Sequence, residues 1–314
     1  MSDLFSTLTD KAVLDASQVE EWKEGVILLS KEANYFSPGS PLVSQTQVAD
    51  ASIATFLKFS QLSNGSSALS DGVEVTSEAI TDAETNVTLA EYGNVVTTTS
   101  LGHIVTGGRL NPAAAELVGM NMGTSMDKIA IAKGEAGSNE LIVTQAAESS
   151  LTSSDIITDT YIDRAYNKLR RANIMPLPGG LYGAVMHPDV VYDLKAATSS
   201  GDWYDLSKYT NPEIVNRSNF SIFKGFLIYE SSNVTINANA GNSNVDSYHS
   251  QFFGYNAFAY AQSSAKPPSP TLVGGTDKLE RFVHLGWYGV FEYALLDTNA
   301  HWLVTSASTV GANT

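Results

Sequence analysis

Apolar positions at helical spacing mark one long helix in the middle of the chain. Four apolar side chains share one face of it: Val118, Met122, Met126 and Ile129. Asparagine is favoured at the N-cap and proline at the first helical position, so the helix is predicted to begin at Asn111-Pro112. Residues 134–139 are predicted to end it. Because methionine fills irregular gaps in cores, we interpret the stripe as core packing.

A second helix pattern follows about 20 residues later. Its apolar face has four members: Ile162, Ala165, Leu169 and Ala172. Thr152 and Asp155 occupy the two positions of a capping box, with Asp where Glu or Gln is usual, which predicts a helix start there. Pro176 and Pro178 require the helix to stop near Asn173, because residues before proline avoid helical backbone angles.

Strand patterns and turns occupy much of the remaining chain. Residues 1–50 are predicted to form an arm with one helix, capped by Ser17 with Glu20 as reciprocal partner. Residues 55–62 favour a short strand, and residues 73–99 favour a hairpin-like loop that returns to the body. Three further strand regions are predicted: 182–186 before a helix at His187-Pro188-Asp189, 222–229 with a bulge or turn at Lys224-Gly225, and paired strands within 277–304.

Composition narrows the function further. The 314 residues include 33 acidic and 18 basic side chains, for a net charge of −15, which argues against binding nucleic acid through phosphate neutralisation. The absence of cysteine excludes disulfides, thiolate metal sites and cysteine nucleophiles. The N-terminus has no secretory signal pattern, and no apolar run approaches the length of about 18 residues that a membrane span needs.

Acidic and basic residues are distributed unevenly. No Lys or Arg occurs between Lys58 and Arg109, although this stretch has many acids, while the dense positive cluster lies on the second helix. Both sets can be explained as solvated surfaces. Alternatively, the acidic arm of one subunit docks on the basic helix of a neighbouring subunit. The candidate inter-subunit contacts are Asp71, Glu74, Glu78, Asp82, Glu84, Arg164, Lys168, Arg170 and Arg171.

Motifs for catalysis or cofactor binding are absent from the sequence. Nothing matches a nucleophile elbow, a zinc-protease helix, a phosphate loop or a dinucleotide fingerprint. The five histidines lie far apart, without metal-ligand spacing: His103, His187, His249, His284 and His301. Asp202 and Asp205 flank Trp203 in a manner that resembles a carbohydrate site, but a surface loop explains them equally well. We therefore expect no catalytic residue, no cofactor and no metal.

The order of an acidic arm at 69–80, a strand-like run at 86–99 and a long helix resembles the major capsid proteins of tailed bacteriophages. The likeness extends over about 56–307 and is strongest in blocks 69–99, 157–194 and 277–304. Tyr92-Gly93 and Leu285-Gly286-Trp287 are similar to the podovirus-type subgroup, although Tyr288 stands where that subgroup often has a basic residue.

This resemblance implies an α+β tailed-phage major capsid fold with an N-terminal arm, an extended β loop, a spine helix, a peripheral domain and an axial domain. The implied divisions are an arm at 1–55, an extended loop at 56–100, the peripheral domain with spine helix at 101–180, the axial domain at 181–275, and closing strands of the peripheral domain at 276–314.

The resemblance also implies a structural, non-enzymatic subunit that self-assembles into an icosahedral shell around double-stranded phage DNA. The implied partners are the chain itself in pentamers and hexamers, a portal protein, a decoration protein, and DNA enclosed without specific binding; no membrane is involved. Because the extended-loop segment begins within the first 70 residues, we expect no fused scaffolding domain and hence a separate scaffolding protein. The implied location is the virion, with assembly in the host cytoplasm.

Three alternatives remain open at this point. A cellular nanocompartment shell shares the fold that the resemblance implies. An exported acidic, β-rich surface or binding protein fits the composition but needs an export signal. A polysaccharide hydrolase would use Asp202 and Asp205, and replacing both acids would then abolish its activity. If the chain is a shell protein, the same double variant should still assemble.

Overall fold

The computed structural model describes residues 34–310 except 60–61, 67, 70, 73, 106–109, 197–219, 275–278 and 280. The predicted helix capped by Ser17 therefore lies outside the described residues. Four α-helices are described: α1 (Ser100–Val105), α2 (Leu110–Glu135), α3 (Asp159–Arg171) and α4 (Pro188–Ala196). Fourteen strands form two large sheets and one two-stranded ribbon within the same residues.

The long helix predicted from the methionine stripe is confirmed as α2. Its side chains at 118, 122 and 126 are buried, and Ile129 packs partly buried against the same core. The helix begins at Leu110, so Asn111 lies inside its first turn and is not the N-cap. The Asn111 side chain instead accepts a hydrogen bond of 3.1 Å from the Thr98 hydroxyl.

The first sheet provides the surface on which α2 packs. Its five strands are β1 (Val43–Ala49), β4 (Ala90–Thr99), β11 (Phe258–Ser263), β12 (Ser269–Gly274) and β13 (Phe282–Leu295). They follow the order β1-β11-β13-β12, with β4 paired to β13. Aromatic side chains from the strands and from Phe36 fill the core beneath the helix: Phe258, Tyr260, Trp287, Phe291 and Tyr293.

The second sheet carries α3 and α4. Its strands are β5 (Glu140–Ile142), β6 (Tyr182–Met186), β7 (Phe220–Phe223), β8 (Phe226–Glu230), β9 (Ile236–Asn237), β10 (Ser247–Phe253) and β14 (His301–Ser306). The order is β5-β14-β10-β6-β8-β7, with β9 paired to β10. The predicted bulge or turn is a tight turn between β7 and β8, where Lys224 and Gly225 both take positive φ angles of 45° and 84°.

The start of α3 differs from the prediction. The helix begins at Asp159, and its N-cap Thr158 makes no side-chain capping bond. Asp155 is buried and accepts bonds of 2.8 Å from both the backbone N–H and the hydroxyl of Thr152, which closes a turn before the helix. Ala172 is exposed, because the helix has already ended at Arg171, but the predicted stop near Asn173 is confirmed.

The C-terminal strands are paired, although not with each other. β13 belongs to the first sheet and β14 to the second. A short 3₁₀ helix, Thr298–Ala300, connects them. The C-terminal part of the chain therefore ties the two sheets together.

The predicted hairpin-like loop lies at the end of a two-stranded ribbon. β2 (Ile53–Phe59) and β3 (Asp82–Thr88) pair antiparallel, from Ile53 opposite Thr88 to Phe59 opposite Asp82. The base of the ribbon packs through Ala54, Phe56 and Val87 in one small cluster with Ala259 and Ala261 of β11. Residues 60–81, between the two strands, are called the extended loop below.

Candidate inter-subunit surfaces

The extended loop combines acidic side chains with exposed apolar ones. All five predicted acidic contacts on the loop and β3 are exposed: Asp71, Glu74, Glu78, Asp82 and Glu84. Large apolar side chains accompany them with the following exposed fractions: Phe59 65%, Leu62 51%, Leu69 75%, Val75 61% and Ile80 70%. Sequence reasoning identified the acids but missed this apolar component. The loop therefore offers a surface that a single chain leaves uncovered.

One internal contact braces the loop. Glu78 accepts hydrogen bonds from the Ser63 backbone N–H at 3.0 Å and from the Ser63 hydroxyl at 2.6 Å. Both bonds lower the pKa of Glu78, and the bond from the hydroxyl has the larger effect. The bonds join the outgoing and returning halves of the loop, so Glu78 is already engaged within its own chain.

The basic side chains of α3 are unequally placed. Arg164, Lys168 and Arg171 recur at i, i+4 and i+7 and form one stripe, whereas Arg170 lies to one side of it. The Arg164 guanidinium stacks 4.7 Å from the centroid of the Tyr161 ring, and the Lys168 ammonium lies 4.9 Å from that of Trp302. These ring contacts hold two of the four cations in place.

Two acids of α3 share one lysine. Lys224, in the turn between β7 and β8, donates to Asp159 at 3.0 Å and to Asp163 at 2.6 Å. Burial lowers the pKa of Lys224, but its bonds to the two carboxylates outweigh burial and raise the pKa overall. Within the described part of the chain, no ion pair joins the acidic candidates to the basic ones.

The two motifs behind the family resemblance meet across one strand pair. Gly93 of β4 lies opposite Tyr288 of β13, and Val95 lies opposite Gly286. A Cβ atom at Gly93 would lie 2.7 Å from the Trp287 carbonyl oxygen, and one at Gly286 would overlap the Asn94 carbonyl. Glycine is therefore required at both positions by close backbone approach.

The Trp287 indole connects this strand pair to α2. Its N–H donates to the Asn121 side-chain oxygen of α2 at 2.8 Å, and the Asn94 amide reaches the same oxygen at 3.3 Å. The Leu285-Gly286-Trp287 motif thus positions the long helix on the first sheet. This role is structural, and the sequence alone did not reveal which segment the motif contacts.

A second exposed apolar surface lies on α1. Leu101, Ile104 and Val105 are 71%, 72% and 76% exposed, and none of the six residues of the helix is buried. The helix is held to the body by Ser100, whose backbone N–H donates to the Arg281 carbonyl at 2.9 Å. Sequence analysis missed α1, because six residues are too few to show a helical period.

A buried carboxylate of α2 fixes the segment at Tyr35-Phe36. Asp127 of α2 accepts bonds from the backbone N–H groups of Tyr35 at 3.2 Å and Phe36 at 3.4 Å. The Ser231 hydroxyl at 3.3 Å and the Asn233 amide at 3.0 Å bind its other oxygen. Burial raises the pKa of Asp127, although all four donors oppose the shift. Because all four groups donate hydrogen bonds to the carboxylate, we interpret Asp127 as a structural residue that holds these segments against α2.

One histidine stands between two carboxylates. The His249 Nε2 atom of β10 lies 3.1 Å from the Glu148 carboxylate, and its Nδ1 atom lies 3.7 Å from that of Glu135. Burial lowers the pKa of His249, but the two carboxylates outweigh burial and raise it overall. Sequence spacing gave no signal for this group, because His249 lies more than 100 residues from both carboxylates along the chain.

Other classes of site receive no support from the described segments. No group of three or more His, Asp or Glu side chains there is arranged to hold a metal ion. In the same residues, every helix is too short or too polar to cross a membrane. Asp202 and Asp205, the candidates for a carbohydrate site, lie outside the described residues.

Comparison with known proteins identifies the fold. No protein-family model matches the sequence, and no curated protein matches it. The capsid of Ralstonia phage GP4 is similar over 86% of this chain and 87% of that chain, with a TM-score of 0.68 and 13% identity. The cyanophage Pam1 capsid covers 83% and 86%, with a TM-score of 0.65 and 12% identity.

A third similar structure is the acid-stable capsid of Helicobacter pylori bacteriophage KHP30. It matches over 84% of this chain and 86% of that chain, with a TM-score of 0.64 and 13% identity. At such low identities the likeness establishes the fold alone. The chain therefore has the α+β fold of tailed-phage major capsid proteins.

Proposed function

We propose that this chain is a major capsid protein, a non-enzymatic subunit that self-assembles into the icosahedral shell enclosing the double-stranded DNA of a tailed phage. The observation that carries the proposal is the likeness to three phage capsids over more than four-fifths of each chain. The exposed apolar side chains of the extended loop and of α1 support it, because contiguous exposed apolar surface marks sites of protein contact.

The ribbon and extended loop supply the main contact between subunits. An extended chain spans up to about 3.3–3.6 Å per residue, so a loop over residues 60–81 can project tens of ångströms from its ribbon. Such a loop lies across a neighbouring copy, and the contact is head-to-tail because loop and acceptor are different surfaces. A head-to-tail contact whose rotation closes forms rings, which provides for pentamers and hexamers.

Charge pairing between the loop and α3 remains a prediction within this proposal. The exposed acids of the loop would face Arg170 and the basic stripe on α3 of a neighbouring copy. The lack of an ion pair between these sets inside one described chain is compatible with pairing across copies. Exposed ion pairs contribute only about 0.2–1 kcal/mol each, so they would set register and association rate more than affinity.

The domain division predicted from the sequence, with the axial domain at 181–275, stays a prediction, and the two sheets favour different bounds for it. The first sheet with α2 would be the peripheral domain, and the second sheet with α3 and α4 the axial domain. With this assignment, β11 and β12 join the peripheral body, and α3, β5 and β14 join the axial one. The chain would then cross between the domains three times, within residues 136–139, near Gly254 and near Thr298.

The remaining partners follow from the proposed role. One sequence must form both pentamers and hexamers, so a separate scaffolding protein would set the curvature, a portal protein would occupy one vertex, and a decoration protein would bind outside. The net charge of −15 would keep packaged DNA from adhering to the wall, without specific binding. The protein would assemble in the host cytoplasm and reside in the virion.

Negative-stain electron microscopy with a sedimentation profile tests the proposal. The purified chain is examined alone and after co-production with a candidate scaffolding protein, and closed shells of uniform diameter are expected. A chain that stays monomeric in both preparations would overturn the proposal. The double variant Asp202→Asn/Asp205→Asn is the control against the hydrolase alternative and is expected to assemble like the parent chain.

A further inference from the structure

The C-terminal end of α2, called the spine helix below, meets the second sheet at the His249 imidazole, which lies between two acids. Glu135 is the last residue of α2, which packs on the first sheet, whereas His249 lies in β10 of the second sheet. Glu148 belongs to the 3₁₀ helix Glu148–Ser150, which follows β5. The three side chains therefore come from three separate elements and span the junction between the spine and the second sheet.

Surrounding groups fix Glu148 and leave Glu135 dependent on the histidine. The Asn237 amide donates to Glu148 at 2.9 Å, and the Ser247 hydroxyl also donates to it. By contrast, the Nδ1 atom of His249 and the facing Glu135 oxygen are both buried and have no hydrogen-bond partner in the described structure. They lie 3.7 Å apart, so a small movement would bring them into hydrogen-bond distance.

Each neighbouring element contributes a group that bears on the charge of this imidazole. Glu135 faces it from α2 and Glu148 from the 3₁₀ helix, while Asn237 approaches it from β9 at 3.2 Å. Across the strand pair, Thr305 of β14 lies opposite His249 and donates to Glu140 of β5 at 2.6 Å. Asp246, just before β10, is occupied by the Asn239 backbone N–H at 2.8 Å. The charged groups named here are all acidic.

A neutral imidazole cannot satisfy both flanking carboxylates. It has one N–H donor and one bare nitrogen, so one of the two acids would face a lone pair. The imidazolium has two donors and can bind Glu135 and Glu148 together. The geometry points to a pH-dependent clasp, in which protonated His249 joins the end of the spine helix to the second sheet and its deprotonation releases Glu135.

The expected pH dependence has a definite sign. The pKa of His249 is raised in the folded protein above its ordinary value of 6.5. The clasp therefore stabilises the fold fully below about pH 6.5, and its contribution is lost as the pH rises through the higher folded pKa. In an assembled shell, which rests on the proposed function, the same release would loosen the spine against the second sheet in every copy at once.

Histidine NMR and denaturant unfolding between pH 5 and 9 test the clasp in the isolated chain. His249→Gln assigns the resonance, and its titration midpoint is expected above that of free imidazole. Unfolding midpoints of the parent chain and His249→Gln are expected to differ at pH 5 and to converge by pH 9. Glu135→Gln should lower the His249 midpoint, whereas the control His284→Gln, on β13, should leave it unchanged.

Two results would overturn the clasp. One is a His249 titration midpoint at or below that of free imidazole. The other is a gap between the parent chain and His249→Gln that stays constant across the pH range. Since both measurements use the unassembled chain, the clasp can fail while shells form, or hold while the capsid proposal fails. If His249→Gln does not fold, the effect of Glu135→Gln on the His249 resonance, assigned by isotope labelling, decides the matter.

Discussion

Two phenylalanines, Phe252 of β10 and Phe59 at the end of β2, lie in opposite surroundings, one in the core and the other on the surface. Phe252 is fully buried and packs edge-on against Phe226, with ring centroids 4.9 Å apart. Phe59 is 65% exposed where the ribbon opens into the extended loop. The second sheet thus uses apolar area for its own stability, whereas the loop keeps apolar area that its own chain does not cover.

The largest expected effect separates these two phenylalanines. Phe252→Ala should lower the free energy of unfolding by about 3–5 kcal/mol, because it leaves a cavity in a closed core. Phe59→Ala should change it by less than about 0.5 kcal/mol, as is usual for surface sites. Guanidinium unfolding of the unassembled chain measures both. Equal losses would show that the loop packs on its own chain and would remove the contrast.

A pair of glycines sharpens the same contrast at the level of the backbone. Gly286→Ala forces a Cβ against the Asn94 carbonyl of the paired strand and should cost about 1–3 kcal/mol of unfolding free energy. Gly65→Ala, in the extended loop, meets no atom within 4 Å and should be nearly neutral. The comparison uses thermal and denaturant unfolding. A neutral Gly286→Ala would mean that β4 and β13 can separate without loss.

The exposed face of α1 extends the comparison from folding to assembly. Leu101→Ser with Ile104→Ser should leave unfolding unchanged within about 1 kcal/mol, because neither side chain is buried. A loss of ~1.4 kcal/mol weakens each contact about tenfold. Because a shell repeats the contact many times, the yield of shells should fall by at least that factor. Met175→Ser, at an apolar residue 71% exposed after α3, is the matched control. Equal shell yields from the double variant and the control would argue against a contact at α1.

Local periodicity explains which elements could be predicted. The stripe of α2, the apolar face of α3, the strand β6 and the stop near Asn173 all depend on residues close together in sequence. The start of α3 failed for a physical reason. Asp155 accepts from the Thr152 backbone N–H, as in a capping box, but the Thr152 hydroxyl donates to the same carboxylate and does not accept from the Asp155 N–H. The buried Asp155 also accepts from Thr144 and Gln145, which holds a turn in place of a helix start.

Long-range pairing explains what could not be predicted. Nothing near Gly286 in sequence shows that Asn94 will lie against it, and nothing near Glu135 shows that His249 will face it. The acids of the extended loop were visible as a run without Lys or Arg. Its apolar side chains were not recognisable as exposed, because exposure depends on the absence of a covering element elsewhere in the fold.

The smallest expected effect concerns charge on α3. Arg170→Glu with Arg171→Glu should slow shell assembly at low salt, and the difference should fade toward 1 M salt, where charges are screened within about 3 Å. Lys128→Glu with Lys266→Glu, two exposed changes outside α3, lowers the net charge by the same amount and is the control. Light scattering during assembly measures the rate. Unfolding free energy should stay within about 0.5 kcal/mol for all three chains.

A compensating charge reversal on the extended loop decides whether the basic side chains of α3 are a solvated surface or a contact with a neighbouring copy. Adding Asp71→Lys and Glu74→Lys to the α3 double variant should restore the assembly rate if the loop of one copy meets α3 of another. No restoration would leave the basic stripe as a solvated surface and place the whole affinity of the loop on its apolar side chains. Charge steers encounter while apolar burial holds the complex. We therefore expect this rescue to appear in rates and the α1 defect to appear in final yield.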